Sequence, residues 1–155
     1  MAVCKLAEMA AAVPRGRRLM GLDLGEKTIG LALSDVRLSI ASPLETIRRR
    51  KFTADAEILI ARIAEHEIGG LVLGLPVNMD GTEGPRCQST RQFAANLLQK
   101  IDIPIAFQDE RLSTAAVTRT LIEADVSRAR RAEVVDKLAA AYILQSALDL
   151  IGRTA

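Results

Sequence analysis

The stretch L-M-G-L-D-L-G-E-K-T-I-G-L-A-L-S-D, residues 19–35, decides how the rest of the chain can be arranged. Apolar side chains alternate with small ones on both sides of a polar turn at Glu26–Thr28, and this pattern predicts two strands joined as a β-hairpin. In the first strand, Asp23 shares its face with Gly21 and Gly25, while leucines occupy the other face. A carboxylate on a sheet face is costly to bury unless a metal ion, a cation or hydrogen bonds accompany it.

Asp23 taken alone does not establish a site, because a single aspartate in a hairpin is most often a turn former or a surface residue. The glycines beside and across from it leave room for another group to approach the backbone closely. The segment G-E-K-T-I-G, residues 25–30, resembles part of a phosphate-binding loop. It lacks the Lys-Ser/Thr after its last glycine and the strand-loop-helix context of such loops, so we set that interpretation aside.

Composition limits the class of protein. The chain has 155 residues, enough for one domain with an ordinary core, and 49% of them are hydrophobic. Three Phe, one Tyr and no Trp argue against a stacking platform for single-stranded bases. The net charge of +2 is too small to imply a polyanionic partner, and no apolar run is long enough to span a membrane.

Two basic runs and two cysteines narrow the class of protein further. The basic runs at 48–51 and 128–131 are either solvated faces or phosphate contacts, and having two of them makes phosphate contacts a reasonable hypothesis. Cys4 and Cys87 have neither disulfide-framework nor metal-site spacing, which favours a reducing cytoplasm.

The order of predicted elements alternates strands with helices. Residues 1–18 are predicted to form a flexible or partly helical arm, and residues 19–155 a single domain. After the hairpin we expect a third strand over Ser39–Ile47, with Pro43 favouring an edge position. The later elements are a helix over Thr53–Glu67 capped by Thr53, a buried strand over Gly70–Pro76, a helix over Gln88–Lys100, a strand from Pro104, a helix over Ala115–Ala124 and a final helix that contains Asp136.

The buried strand leads into the loop V-N-M-D-G-T-E-G-P-R, residues 77–86. Asp80-Gly81 could form a simple turn. A glycine-bearing loop at the carboxyl end of a buried strand is also where open α/β sheets bind ligands. The sequence leaves both interpretations open.

Two further acidic positions stand out. In D-E-R-L-S-T, residues 109–114, Asp109 and Glu110 are adjacent on a strand and must point to opposite faces, although this pattern alone also fits a salt-bridged corner. Asp136 shares a helix face with Ala139, Ala140 and Ile143, so it projects from the side that packs on the sheet. Acids from two strands and a terminal helix fit a metal site. Without histidine or paired cysteine ligands, such a site would select hard cations, Mg²⁺ or Mn²⁺.

Four segments in order, beginning at residues 21, 74, 109 and 136, carry a family resemblance: G-L-D-L-G-E-K-T-I-G-L-A-L-S-D, G-L-P-V-N-M-D-G-T-E-G, D-E-R-L-S-T and D-K-L-A-A-A-Y-I-L-Q. Together they resemble the YqgF family of RNase H-like nucleases. This family is also described as RuvX, as Holliday junction resolvases and as the pre-16S rRNA nuclease. The resemblance covers residues 17–151, nearly everything but the arm.

The resemblance implies an RNase H-like α/β fold, in which three antiparallel strands are followed by parallel strands and helices cover both faces of the sheet. It also implies an acidic site formed by Asp23, Glu110 and Asp136, with Asp109 left out. One departure is that Lys27-Thr28 stands where many members have an Arg before the Ile-Gly of the hairpin, which changes how a phosphate would be contacted.

The implied activity is hydrolysis of phosphodiester bonds assisted by two Mg²⁺ or Mn²⁺ ions, with Asp23 bridging them. We expect the flanking phosphates to be held by basic side chains and by the loop Asn78–Gly84; these residues are Lys27, Arg111, Arg128, Arg130, Arg131, Asn78, Gly81 and Gly84. The first substrate expected is the 5′ end of pre-16S rRNA, in contact with ribosomal particles.

Other functions remain open. A Holliday junction resolvase would favour a homodimer that presents two sites, whereas a monomer could trim rRNA. A non-catalytic nucleic-acid-binding module would have no need for three convergent acids. An actin-like ATPase half also begins with an Asp-x-Gly hairpin, but this chain is too short for the second lobe that closes over nucleotide.

Overall fold

The computed structural model describes residues 3–78, 80–109 and 128–154, without the side chains of residues 128–135, 153 and 154. Its five strands are β1 (Arg18–Leu24), β2 (Thr28–Ser34), β3 (Ala41–Arg48), β4 (Ile68–Leu75) and β5 (Ile105–Asp109). Its helices are α1 (Leu6–Ala12), α2 (Phe52–Glu65), α3 (Pro85–Leu98) and α4 (Arg128–Thr154). The predicted helix over Ala115–Ala124 falls outside the described residues.

The strands form one mixed sheet in the order β3-β2-β1-β4-β5. The pairs β1–β2 and β2–β3 are antiparallel, and the pairs β1–β4 and β4–β5 are parallel. This arrangement confirms the predicted hairpin and the predicted change from an antiparallel meander to parallel strands. β4 is buried along its whole length, as expected for an interior strand covered on both faces, and β3 with Pro43 lies at the sheet edge.

Helices cover both faces of the sheet, and each face has its own core. On one face α2 and α3 contribute Leu59, Phe93 and Leu97 to a cluster with the even-numbered residues of β1. On the other face α1 and α4 pack Met9 and Leu144, among others, against small residues of the sheet. None of the helices in the described part of the chain combines the length and apolarity needed to cross a membrane.

Two helices begin earlier than the sequence predicts. α2 starts at Phe52, so Thr53 is not its N-cap. Instead the buried carboxylate of Asp55 accepts a hydrogen bond of 3.0 Å from the backbone N–H of Arg50, which holds the chain just ahead of the helix. α3 starts at Pro85, where a proline at the first helical position loses no hydrogen bond.

The N-terminal segment is partly helical and packs on the domain. Residues 6–12 form α1, Val3 bridges to Ile105, and Met9 is fully buried. The physical reason is a pair of glycines in β4. A β-carbon on Gly70 would lie 2.7 Å from Met9 Sδ, and one on Gly69 would lie 2.9 Å from Val13 Cγ1. Because these glycines have no side chains, Met9 and Val13 can pack directly against the backbone of β4.

We expect Met9→Ala to lower the free energy of unfolding by about 2–4 kcal/mol, because the change leaves a cavity over Gly70, which has no side chain to fill it. Urea denaturation measures the change. Glu8→Ala, an exposed position on the same helix, is the matched control and should have a much smaller effect. Equal effects of the two changes would mean that α1 contributes little to stability.

Candidate functional site

The carboxyl ends of three parallel strands meet at one edge of the sheet. Leu22 of β1 pairs with Leu73 of β4, and Leu75 at the end of β4 pairs with Asp109 at the end of β5. Asp23 therefore lies at the edge from which the loop after β4 departs. Glu110 and Arg111, which come next in the sequence after β5, lie outside the described residues.

Asp136 is brought to this edge by a glycine that lies opposite Asp23. Asp23 pairs with Gly30 in the hairpin. A β-carbon built on Gly30 would overlap the backbone carbonyl of Asp136 and lie 3.0 Å from the backbone nitrogen of Lys137. Directly paired residues of antiparallel strands are about 4.5–5.5 Å apart between Cα atoms. The backbone of α4 at Asp136 is thus packed on the sheet immediately beside Asp23.

A second contact fixes the Asp136 side chain. The hydroxyl of Thr28, at the beginning of β2, donates a hydrogen bond to Asp136 Oδ2. Asp23 and Asp136 are both half-buried, so their carboxylates can be reached from solvent. The sequence did not indicate Thr28 as a positioning residue, because its partner is 108 residues away.

The buried face that the sequence assigns to Asp136 is confirmed, since Ala139, Ala140 and Ile143 are buried.

Alternation along β5 bears on the choice between Asp109 and Glu110. Ile105 and Phe107 pack into the core under α2 and α3, whereas Ala106 packs into the core under α4. Asp109 therefore belongs to the face that points away from α4. This favours leaving it out of a site built around Asp23 and Asp136.

The donor set at this edge suits a hard cation. Ionised carboxylates offer only oxygen acceptors, which are the ligands that Mg²⁺ and Mn²⁺ prefer. Over residues 3–78, 80–109 and 128–154, no three or more His, Cys, Asp or Glu side chains come together as a metal site. The two acids at this edge would need a third ligand from outside those ranges, and Glu110 is the predicted one.

The loop after β4 is a compact turn held by its own polar groups. Asn78 N–H donates to Thr82 O at 2.8 Å, and Gly81 N–H donates to Asn78 O at 2.8 Å. Asp80 Oδ1 accepts from the N–H and the hydroxyl of Thr82 at 3.0 and 2.6 Å. Gly81 has a φ of 90°, which accounts for a glycine there. The turn chemistry predicted for Asp80-Gly81 is confirmed, and Met79 lies outside the described residues.

An arginine ties this loop to the sheet. Arg91 of α3 makes two parallel hydrogen bonds to the Glu83 carboxylate, at 2.8 and 2.9 Å, and its guanidinium lies 4.9 Å from the ring centre of Phe107 in β5. The hydrogen bond from Arg91 lowers the pKa of Glu83. The pair is therefore fully ionised at neutral pH, and it weakens only as acid protonates Glu83.

We expect Glu83→Gln to loosen the loop without unfolding the protein, because the pair is exposed and contributes little to global stability. Amide hydrogen exchange at Asn78 and Gly81 should become about threefold faster. Arg91→Ala should have a larger effect, since it also removes the contact with Phe107. Gln92→Ala, which alters an exposed neighbour on α3, serves as the control. Unchanged exchange in Arg91→Ala would show that the loop holds itself in place.

The structure describes only part of each predicted phosphate-binding arginine in α4, and it describes Lys27 in full. Lys27 is exposed in the hairpin turn, and its carbonyl accepts a 2.8 Å hydrogen bond from Arg49 N–H. Arg128, Arg130 and Arg131 lie in the first turn of α4, and only their backbone is described. Arg131 precedes Asp136 by five residues, about 7.5 Å along the helix axis.

Solved structures that share the fold include Holliday junction resolvases. The chain matches "T. thermophilus RuvC in complex with Holliday junction substrate" at a TM-score of 0.51 and 15% identity, covering 90% of this chain and 98% of that one. The yeast mitochondrial Holliday junction resolvase Ydc2 matches at 0.52 and 11% identity, covering 96% and 85%. At such identities these matches show the fold alone, which is the predicted RNase H-like α/β fold.

Sequence relatives are far closer. The chain is 67% identical over 149 residues to a protein of Paramagnetospirillum magneticum and 65% identical over 147 residues to one of Roseobacter denitrificans. The first match covers 96% of each chain, and the second covers 94% of this chain and 90% of the relative. Both relatives carry the name "Putative pre-16S rRNA nuclease". The family model described as "RuvX: Holliday junction resolvase" matches residues 17–150. The chain belongs to the RuvX family, as its four ordered motifs predict.

Proposed function

We propose that this protein is a metal-dependent nuclease that hydrolyses phosphodiester bonds, and that its substrate is the 5′ end of pre-16S rRNA. The observation that carries the proposal is the seating of the Asp136 backbone on Gly30, beside Asp23. Because Gly30 has no side chain, α4 can pack closely enough for the carboxylates of Asp23 and Asp136 to bind the same cation. Membership of a family of nucleases supports the same conclusion.

The acids that would hold Mg²⁺ or Mn²⁺ are Asp23, Glu110 and Asp136. When bound, such ions supply an activated water and stabilise the leaving oxygen. Asp23 and Asp136 lie at one edge, and carboxylates held together repel each other unless a cation is bound. Thr28 opposes this repulsion by holding one oxygen of Asp136 through its hydroxyl.

The remaining predicted residues would bind the nucleic-acid backbone. We call the end of the sheet that carries Asp23 and Asp136 the acidic edge. Lys27 in the hairpin turn and the compact loop after β4 border this edge, and the first turn of α4 leads towards Asp136. In this proposal the flanking phosphates are contacted by Lys27, Arg111, Arg128, Arg130, Arg131 and the loop residues Asn78, Gly81 and Gly84. The Asn78–Gly84 loop, tied down by Arg91, would border the bound strand.

The assignment to rRNA follows the name that the close relatives carry, and it implies a cytoplasmic enzyme that meets ribosomal particles. The two cysteines, both free, agree with a reducing compartment. A second candidate is cleavage of a Holliday junction, which the description of the family model favours. That candidate would require a homodimer with two acidic edges, whereas rRNA trimming is compatible with a monomer.

A side-by-side cleavage assay separates the two substrates. A labelled pre-16S rRNA 5′ segment and a synthetic four-way DNA junction are incubated with the protein in Mn²⁺ or Mg²⁺, and the oligomeric state is measured by light scattering under the same conditions. We expect cleavage of the RNA and no paired nicks in the junction. Paired nicks in the junction alone, by a dimer, would replace the rRNA proposal. Cleavage of neither substrate would favour a non-catalytic nucleic-acid-binding role.

A further inference from the structure

A cleft lies on the far side of the hairpin from the acidic edge. One wall is the hairpin turn Leu24–Glu26, and the other is the beginning of α3 with Arg86, Ser89 and Thr90. Arg49 closes the cleft. The cleft is open to solvent on one side, and its volume of about 100 Å³ is enough for a phosphate group. None of the roles assigned above uses Arg49 or Arg86.

Arg49 is held in place before any ligand arrives. Its Nη1 donates a 2.6 Å hydrogen bond to the carbonyl of Gly25, and its guanidinium lies 5.7 Å from the ring centre of Phe93. Phe93 is in turn packed edge-on against Phe52, with the ring centres 5.3 Å apart. A guanidinium has five N–H donors, and a fixed one loses little freedom when it binds an anion. The guanidinium of Arg49 is therefore already in position to bind an anion in the cleft.

The opposite wall presents donors on one helix face. Arg86, Ser89 and Thr90 have the i, i+3, i+4 spacing that puts side chains side by side. Arg86 and Ser89 are exposed, whereas Thr90 is buried and its hydroxyl donates to the Arg86 carbonyl at 3.0 Å. Arg86 lies in the first turn of α3, where the helix dipole favours an anion. Two arginines and a hydroxyl thus converge on one space.

The charges in the cleft favour an anion despite one carboxylate. Its lining contains Arg49 and Arg86 against Glu26 alone. The cleft also has a defined relation to the acidic edge. Gly25 follows Asp23 by two residues, about 6.6 Å of strand, and Leu24 points to the opposite face from Asp23. A strand of nucleic acid that crosses the end of β1 could therefore meet both places at once.

We propose that this cleft is a phosphate-binding subsite that holds a phosphate group of the nucleic-acid strand while the acidic edge engages another. The phosphate is either an internucleotide diester or a 5′-terminal monoester, since both present the same anionic oxygens. The inference rests on the proposed function for its nucleic-acid ligand, but binding of phosphate itself does not require the acids or a metal.

The first test is a titration of the full-length protein with inorganic phosphate, without divalent metal, followed by backbone amide NMR. We expect saturable shifts at Gly25, Arg86 and Ser89. Arg86→Gln should weaken phosphate binding about 5-fold to 10-fold, and Arg86→Lys should retain most of the affinity. Glu26→Gln should tighten binding, because it removes the only carboxylate in the lining. Arg37→Gln removes an exposed arginine beyond the other end of β2, roughly 20 Å away, and should leave binding unchanged.

The second test identifies the source of the phosphate. A short RNA oligonucleotide is titrated with and without a 5′-phosphate. Shifts at Arg86 that require the 5′-phosphate assign a terminal monoester, and shifts with both oligonucleotides assign an internucleotide diester. Either pattern supports the subsite. No saturable shift in the cleft, or equal affinities of Arg86→Gln and Arg37→Gln, would overturn it.

The variant Asp23→Asn tests phosphate binding in the cleft independently of the proposed cleavage activity. The variant should bind phosphate in the cleft as the wild type does and fail to cleave nucleic acid. Full cleavage by Asp23→Asn would refute the proposed catalytic site while leaving the subsite intact. Normal cleavage by the wild type with no phosphate binding in the cleft would refute the subsite alone.

Discussion

Asp23→Asn is expected to slow phosphodiester cleavage by about 10³-fold or more, equivalent to roughly 4 kcal/mol of activation free energy. Asparagine keeps the size of the side chain but replaces an anionic oxygen with a neutral amide, so it cannot balance the charge of a shared divalent cation. Single-turnover cleavage of the labelled rRNA segment measures the loss. The residue lies at the end of β1, opposite Gly30 on which α4 packs.

A readout besides cleavage shows whether the loss arises from the metal. Adding Mn²⁺ should raise the melting temperature of the wild type, because a ligand that binds only the folded state stabilises it. Asp23→Asn and Asp136→Asn should both lose this increase. Asp149→Asn is the matched control, since it changes an exposed acid on the same helix as Asp136. If Asp23→Asn cleaved at the wild-type rate, Asp23 would have a structural role only.

Gly30→Ala is expected to be the most damaging single methyl addition in the hairpin. Its β-carbon would overlap the backbone carbonyl of Asp136, and a helix backbone cannot move aside as a flexible side chain can. We expect a loss of about 3 kcal/mol in unfolding free energy, at the upper end of the usual cost of overpacking. Cleavage should fall even at temperatures where the variant stays folded, because α4 and Asp136 must shift away from Asp23.

Gly152→Ala separates this steric effect from a general effect of glycine replacement. A β-carbon on Gly152 has no neighbour within 4 Å, so the change should be neutral or stabilising by up to about 1 kcal/mol through helix propensity. Gly21→Ala should be intermediate, since its β-carbon would lie 2.8 Å from Leu144 Cβ and 2.9 Å from the Ala140 carbonyl. If Gly30→Ala were as stable as the wild type, α4 would not be seated where the structure has it.

The sequence by itself determined the parts of this protein that depend on local pattern. Alternation with period two defined the hairpin and the faces of its strands, and the helical period placed Asp136 on the buried face of the last helix. The family resemblance of the four motifs implied a mixed sheet covered by helices, with which the order of apolar segments agreed, and the structure confirms it. The hairpin and the buried helix face depend on residues close together in sequence, so they can be inferred without knowing the packing.

Only the tertiary structure decided the features that join distant residues. Thr28 and Asp136 meet across 108 positions, and Arg49 reaches back to Gly25 and onto Phe93 to form the cleft. The packing of α1 depends on distant residues in the same way, because its weak apolar run gains its partners only when Gly69 and Gly70 of β4 make room for it. Local pattern states which face of an element is buried. It does not state what packs against that face, because that depends on the three-dimensional arrangement of all elements at once.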